Sequence, residues 1–90
     1  MRITPNFILR QLEKHGFKSA DERIAIYRNQ RGYSINTRIV LSGGSFDRDK
    51  FYECARDMAN QIKNHDFSIY CTMSSAFEYA TCNITLTRKQ

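Results

Sequence analysis

The 90 residues of this chain suffice for one small domain with a thin core, so residues 1–90 are expected to form a single domain. A composition of 41% hydrophobic and 26% charged residues excludes a disordered chain. The apolar runs at residues 7–9 and 39–41 fall far short of the ~20 residues that span a bilayer, and the charges at Arg10, Glu13 and Lys14 interrupt the region where a signal peptide is apolar. We therefore expect a cytoplasmic protein without membrane contact.

The net charge of +5 is concentrated in the first half of the chain. Residues 1–41 contain eight basic and three acidic side chains, whereas residues 42–90 contain six of each. A concentrated positive field favours a polyanion or an acidic protein surface as the partner. The alternative is that the surplus charge only keeps a small protein in solution.

The first predicted element is a helix over residues 5–15. Thr4 is suited to the N-cap, Pro5 to the first helical position and Gly16 to the left-handed position after the helix. Gln11 is expected in water, and His15 is interpreted as a helix-end residue that the dipole favours, not as a catalytic base. The residues expected on the buried face are Ile8, Leu9 and Leu12.

Alternation of apolar and polar residues predicts two hairpins, with turns at residues 29–32 and 74–76. Residues 42–45, Ser-Gly-Gly-Ser, break the chain after the first hairpin. The predicted strands are residues 23–28, 33–41, 67–73 and 77–88. The residues expected to face the core are Ile24 and Ile26; Tyr33, Ile35, Thr37, Ile39 and Leu41; Phe67, Ile69, Cys71 and Met73; and Ala80, Cys82, Ile84 and Leu86.

Between the hairpins, residues 45–65 predict one amphipathic helix. Asp47 suits the N-cap, Phe46 and Phe51 are spaced for a hydrophobic staple, and residues 65–66 are expected to close the helix. The residues expected on its buried face are Phe51, Cys54, Ala55, Met58 and Ile62.

The three cysteines carry no metal-binding spacing. Cys54, Cys71 and Cys82 form no C-x-x-C pair and have no histidine at ligand spacing, so neither a metal site nor any other cofactor is expected. All three are expected to point inward as free thiols in a reducing compartment, the alternative being a cross-strand pairing of Cys71 with Cys82.

The element order α-β-β-α-β-β predicts the fold class α+β: a two-layer sandwich in which a four-stranded antiparallel sheet carries both helices on one face. The double-stranded RNA-binding domain resembles this chain only in its opening α-β-β. The resemblance ends at the middle helix, so no family is identified.

The other face of that sheet is the expected binding surface. It mixes aromatic, basic and amide side chains, which is typical of surfaces that stack bases and bind phosphates of single-stranded nucleic acid. The turn at residues 28–32 is expected to add a flexible basic loop for the backbone phosphates. The alternative is that tyrosine and threonine are there for strand propensity alone. The residues proposed to contact nucleic acid or a partner are Arg23, Tyr27, Arg28, Arg31, Asn36, Arg38, Tyr70 and Tyr79.

A second class of function is inhibition by docking on a protein or nucleoprotein complex, through the sheet face or an edge strand. Small phage-encoded anti-defence proteins of the anti-CRISPR kind resemble this chain in size and style, although no motif carries that likeness. Either edge strand is also a candidate for homodimer formation.

Catalysis is the least supported class, because His15 and His65 both lie at predicted helix ends and no Ser-His-Asp or Cys-His arrangement follows from the sequence. Residues 42–45 lack the lysine and spacing of a phosphate-binding loop. A non-catalytic binding protein is therefore expected, with a small ribonuclease toxin as the alternative.

Overall fold

The computed structural model describes residues 2–41, 43 and 45–90, and the predicted element order is confirmed in this part of the chain. Ser42 and Gly44, in the predicted break, lie outside the described residues. The helices are α1 (Pro5–Lys14) and α2 (Arg48–Ile62), and the strands are β1 (Ser19–Asn29), β2 (Gly32–Val40), β3 (His65–Met73) and β4 (Tyr79–Arg88). No helix among the described residues combines the length and apolar character that crossing a membrane requires.

The four strands form one antiparallel sheet in the order β1-β2-β4-β3. The central strands β2 and β4 pair continuously from Gly32 opposite Thr87 to Val40 opposite Tyr79. Since β2 belongs to the first hairpin and β4 to the second, the two halves of the chain meet at the centre of the sheet. β1 and β3 are the edge strands.

Both ends of α1 are capped as the sequence predicts. The Thr4 hydroxyl accepts a hydrogen bond from the Phe7 amide at 3.2 Å. At the other end Gly16 has a φ of 82°, and the Phe17 amide donates to the Leu12 carbonyl at 2.8 Å, as in a Schellman motif. These bonds satisfy backbone groups that a helix end otherwise leaves unpaired.

The expectation for Gln11 was wrong, because α2 packs against the side of α1 that contains it. Gln11 is only 8% exposed, and its side-chain Oε1 has no hydrogen-bond partner among the described residues. Its carbonyl oxygen lies 3.6 Å from the Cys54 thiol of α2. Leu9, which was expected on the buried face of α1, is only half-buried.

The start of α2 is as predicted and its end is not. The Asp47 carboxylate accepts from the Lys50 amide at 3.0 Å, and the Phe46 and Phe51 rings are in tilted contact, with 5.7 Å between centroids. The helix ends at Ile62, before residues 65–66, because residues 63 and 64 take positive φ values of 60° and 56° and turn the chain into β3.

The core lies between the helices and one face of the sheet, and most predicted inward residues are in it. Met73 is an exception at 47% exposed, since it ends β3 beyond the cover of the helices. Phe77, expected to begin the last strand, is 58% exposed with a φ of 56° and belongs to the turn. The Ser74 hydroxyl accepts from the Glu78 and Tyr79 amides, so β4 begins at Tyr79.

Candidate nucleic-acid interface

The face of the sheet opposite the helices, called here the open face, presents its side chains in rows set by the strand register. One row places Ala25, Asn36, Asn83 and Tyr70 side by side across β1, β2, β4 and β3. The next row towards the first hairpin contains Tyr27, Ser34, Thr85 and Ser68. The row on the other side brings Arg38, Thr81 and Thr72 together.

Two tyrosines stand on the edge strands of the open face. Tyr27 of β1 is 64% exposed and Tyr70 of β3 is 67% exposed. With strands about 4.8 Å apart and residues about 3.4 Å apart, their Cα atoms are separated by about 16 Å across the sheet. Both rings are therefore free to stack on a planar ligand without rearrangement of the core.

An amide pair lies between these rings at the centre of the sheet. The Asn36 side-chain nitrogen donates to the Asn83 side-chain oxygen at 3.0 Å, across the central strand pair. One N–H of Asn36, the second acceptor site of Asn83 and its amide group are left for a ligand. Such donors and acceptors suit the hydrogen-bonding edges of bases.

Arg38 is already engaged by protein neighbours. Its guanidinium carbon lies 4.9 Å from the centroid of the Tyr79 ring, and Nη1 lies 3.5 Å from an Asp21 carboxylate oxygen. Arg23 approaches the same carboxylate oxygen at 4.0 Å. The structure thus brings Arg23, Arg38 and Tyr79 together around an acidic residue that the sequence reasoning left out, and any anion would have to compete with Asp21 for these arginines.

The basic hairpin differs from the flexible loop that the sequence predicted. Asn29 and Gly32 pair as partners, so the loop has two residues, and the Asn29 side-chain oxygen accepts from the Arg31 and Gly32 amides at 2.7 and 3.1 Å. Arg28 belongs to β1 and not to the loop. It lines a cleft of about 480 Å³ with Ile24 and Ile26, on the helix side of the sheet.

The hairpin belongs to a larger cluster of positive charge, called here the basic end. The Arg88 amide donates to the Arg31 carbonyl at 2.6 Å, and the Lys89 amide donates to the Asn64 carbonyl at 2.8 Å. Arg2 borders the cleft that contains Arg28. The basic side chains of this end are Arg2, Arg28, Arg31, Lys63, Arg88 and Lys89.

Among the described residues of the basic end the one acidic neighbour is Asp66, whose carboxylate lies 3.8 Å from the Lys89 ammonium group. Sequence reasoning missed Lys63, Arg88 and Lys89 because it counted charge along the chain. The second half is neutral as a whole, but the antiparallel register places its two last basic residues beside the first hairpin. The candidate site residues thus divide between the open face and the basic end.

Asp57, His15 and Cys54 lie where α1 and α2 pack against each other. The Asp57 carboxylate lies 2.9 Å from His15 Nε2 and 3.3 Å from the Lys14 ammonium group, which ties α1 to α2, and the hydrogen bond from His15 is the main reason that the pKa of Asp57 is lowered. Cys54, one turn away, is fully buried, and this burial raises its pKa to about 12. A thiol in that state is not an activated nucleophile.

Cys71 and Cys82 lie directly opposite each other on β3 and β4 as free thiols. The pKa of Cys82 is raised, mainly by its hydrogen bond with Cys71 and next by burial. No group of three or more His, Cys, Asp or Glu side chains in the described part of the chain is arranged to hold a metal ion.

Comparison of this chain with protein-family models, with curated proteins and with solved structures finds no match.

Proposed function

We propose that this protein binds single-stranded nucleic acid, with the phosphate backbone at the basic end and bases on the open face. The observation that supports this most is the adjacency of the two surfaces. Tyr27 lies one row from the turn that carries Arg31, and Tyr70 lies one row further. A strand that enters over the basic end reaches both rings in succession.

Electrostatics favours a polyanion at the basic end. Six basic side chains against the single acidic Asp66 give this end of the described chain a strong positive potential, although the whole chain carries only +5. Each cation that neutralises a phosphate releases a condensed counterion, which adds about 0.7 to the slope of log affinity against log salt for a single strand. Binding is therefore expected to weaken steeply with salt.

The open face favours unpaired bases over a duplex. Exposed rings on the face of a sheet stack on exposed base faces, which a duplex keeps inside its own stack. Stacking contributes about 1–3 kcal/mol per base and tolerates any sequence. The Asn36–Asn83 pair adds hydrogen-bonding groups between the rings, at the centre of the sheet.

The test is fluorescence anisotropy with labelled single-stranded RNA and DNA of about 16 nucleotides, the upper end of a typical single-fold footprint, at several salt concentrations. The variant Arg31→Ala/Arg88→Ala removes two charges of the basic end. It is expected to weaken binding on all sequences and to reduce the salt slope by about 1–1.5.

The matched control is Arg10→Ala/Lys18→Ala, which removes the same charge from exposed positions outside the basic end. It is expected to change affinity much less. Equal losses in the two variants would show that only net charge matters and would contradict a site at the basic end. Absence of any binding by the unmodified protein would remove the proposed function.

The free thiols and the reducing compartment that they suit support a cytoplasmic setting for this activity.

A second candidate is docking on a protein as an inhibitor, and one observation favours it. At the end of the molecule opposite the basic end, Val40, Met73 and Phe77 are 41%, 47% and 58% exposed. Exposed apolar side chains mark protein contacts where they form a contiguous patch, and the position of these three at one end of the molecule favours such a patch. Phe77→Ser is expected to abolish inhibition of a host complex in this case, while nucleic-acid binding at the basic end stays unchanged.

A further inference from the structure

The edge strand β3 has one acidic residue, Asp66 near its start, and beyond it carries none of the features that protect an edge from pairing with another chain. Its register with β4 is regular from His65 opposite Arg88 to Met73 opposite Ala80. Residues 67–73, Phe-Ser-Ile-Tyr-Cys-Thr-Met, include neither a charge nor a proline. Natural edge strands are blunted by charges, prolines, bulges or short length, because open backbone groups otherwise recruit a further strand.

The other edge is protected. The register of β1 shifts between Ser19 and Ile24, which marks a bulge or a similar irregularity of the strand, and β1 carries charges at Asp21, Arg23 and Arg28. Bulges interrupt the straight row of hydrogen-bonding groups that a new strand needs. The contrast between the two edges assigns the free pairing capacity to β3.

We propose that two copies of this chain associate through antiparallel pairing of their β3 strands, which joins the two sheets into one of eight strands. Pairing about a two-fold axis normal to the sheet keeps all four helices on one side. Residues that face each other across the seam lie on the same face, so the axis passes midway between one residue and the same residue of the copy. The register centred on Tyr70 pairs residues 67–73 entirely with each other.

This register explains why a second copy is the partner. On the helix side it places Phe67 opposite Met73 of the copy, and Ile69 opposite Cys71 of the copy. Phe67, Ile69 and Cys71 are half-buried at the rim of the core, and Met73 is 47% exposed. Pairing therefore covers the apolar rim left open in the isolated chain. Because residues 67–73 are uncharged, pairing with the same segment of a second copy brings no like charges together.

On the open face the same register places Ser68 opposite Thr72 of the copy. Charged substitutions at these two positions therefore test the register. Both side chains are exposed, so substitution there leaves the core intact. Ser68→Lys/Thr72→Lys puts lysine opposite lysine twice at the seam. Ser68→Lys/Thr72→Glu puts opposite charges there instead, at the same two positions.

Sedimentation velocity of the full chain across a concentration series is expected to show a dimer. The double-lysine variant is expected to raise the dissociation constant about tenfold or more, while the lysine/glutamate variant remains dimeric. Amide hydrogen exchange is expected to show protection of every second amide of β3 that increases with protein concentration, while β1 does not change.

A monomer up to about 1 mM, where an association of about −4 kcal/mol becomes visible, would overturn the proposal. The β3 seam in this register would be overturned if both charge variants dimerised equally well. It would also be overturned if neither variant dimerised although both melted cooperatively. Neither measurement uses nucleic acid, so failure here is distinguishable from failure of the proposed function.

Discussion

Gly32 is the residue whose replacement tests the sheet most sharply. It begins β2 opposite Thr87 with a φ of 149°, which residues with a side chain rarely adopt. A Cβ placed there would lie 1.9 Å from the Leu86 carbonyl oxygen and 2.9 Å from the Leu86 carbonyl carbon. These are backbone atoms of the neighbouring strand, so no side-chain rotation relieves the overlap.

The cost of Gly32→Ala follows from that geometry. A carbon–oxygen contact needs about 3.3 Å, so β2 and β4 must separate locally by more than 1 Å, which breaks one or two ladder hydrogen bonds worth about 0.5–1.5 kcal/mol each. The backbone conformation adds about 1–3 kcal/mol. We expect a total loss of about 2–5 kcal/mol in the free energy of unfolding, which lowers the melting temperature of a domain of this size by about 10–30 °C.

The matched control is Gly43→Ala, because Gly43 also has a positive φ, 64°, but an added Cβ would have nothing within 4 Å. It is expected to cost about 1–2 kcal/mol from conformation alone. Thermal melts followed by circular dichroism compare the two variants. Equal melting temperatures would refute the close contact between β2 and the Leu86 carbonyl.

Three further results are expected. The hydrogen bond from His15 lowers the pKa of Asp57 below its ordinary 3.8. This contact therefore stabilises the fold above that pH, and the stabilisation is lost as the pH falls through the folded-state pKa. Asp57→Asn should then reduce the loss of stability at acid pH, as measured by urea unfolding. Met58, with 0% exposure, tolerates no charge, so Met58→Asp should lose the cooperative melt, and a cooperatively folded variant would contradict the assigned core face. Tyr27→Ala should weaken single-strand binding by about 1–3 kcal/mol, and Tyr52→Ala, on the helix side, should not; equal effects would argue against stacking on the open face.

The features that the sequence predicts correctly are those encoded locally. Thr4 and Asp47 cap their helices because a short polar side chain reaches amides only three residues ahead. The alternation from Tyr33 to Leu41 determines which face is buried whatever the neighbouring strand is. The pattern therefore predicts two helices on one face of an antiparallel sheet without knowledge of the strand order.

The features that the sequence misses depend on distant neighbours. Gln11 is polar, and only the approach of α2 makes its position part of the core. The basic end requires the strand order, which brings Arg88 beside Arg31 from the far end of the chain. Asp21 lies close to Arg38 through the pairing of β1 with β2, which makes Arg38 less available than composition implies.

The central position of β2 and β4 also governs how the chain folds. The Asn36 and Asn83 side chains that meet there are 47 positions apart in sequence, so the contact closes a long loop before it contributes stability. Each hairpin alone leaves the inner edge of its second strand, β2 or β4, without a partner and exposes one apolar face. Neither half is then a stable intermediate, and the domain is expected to fold in a single cooperative step whose barrier is set by the meeting of the two hairpins around α2.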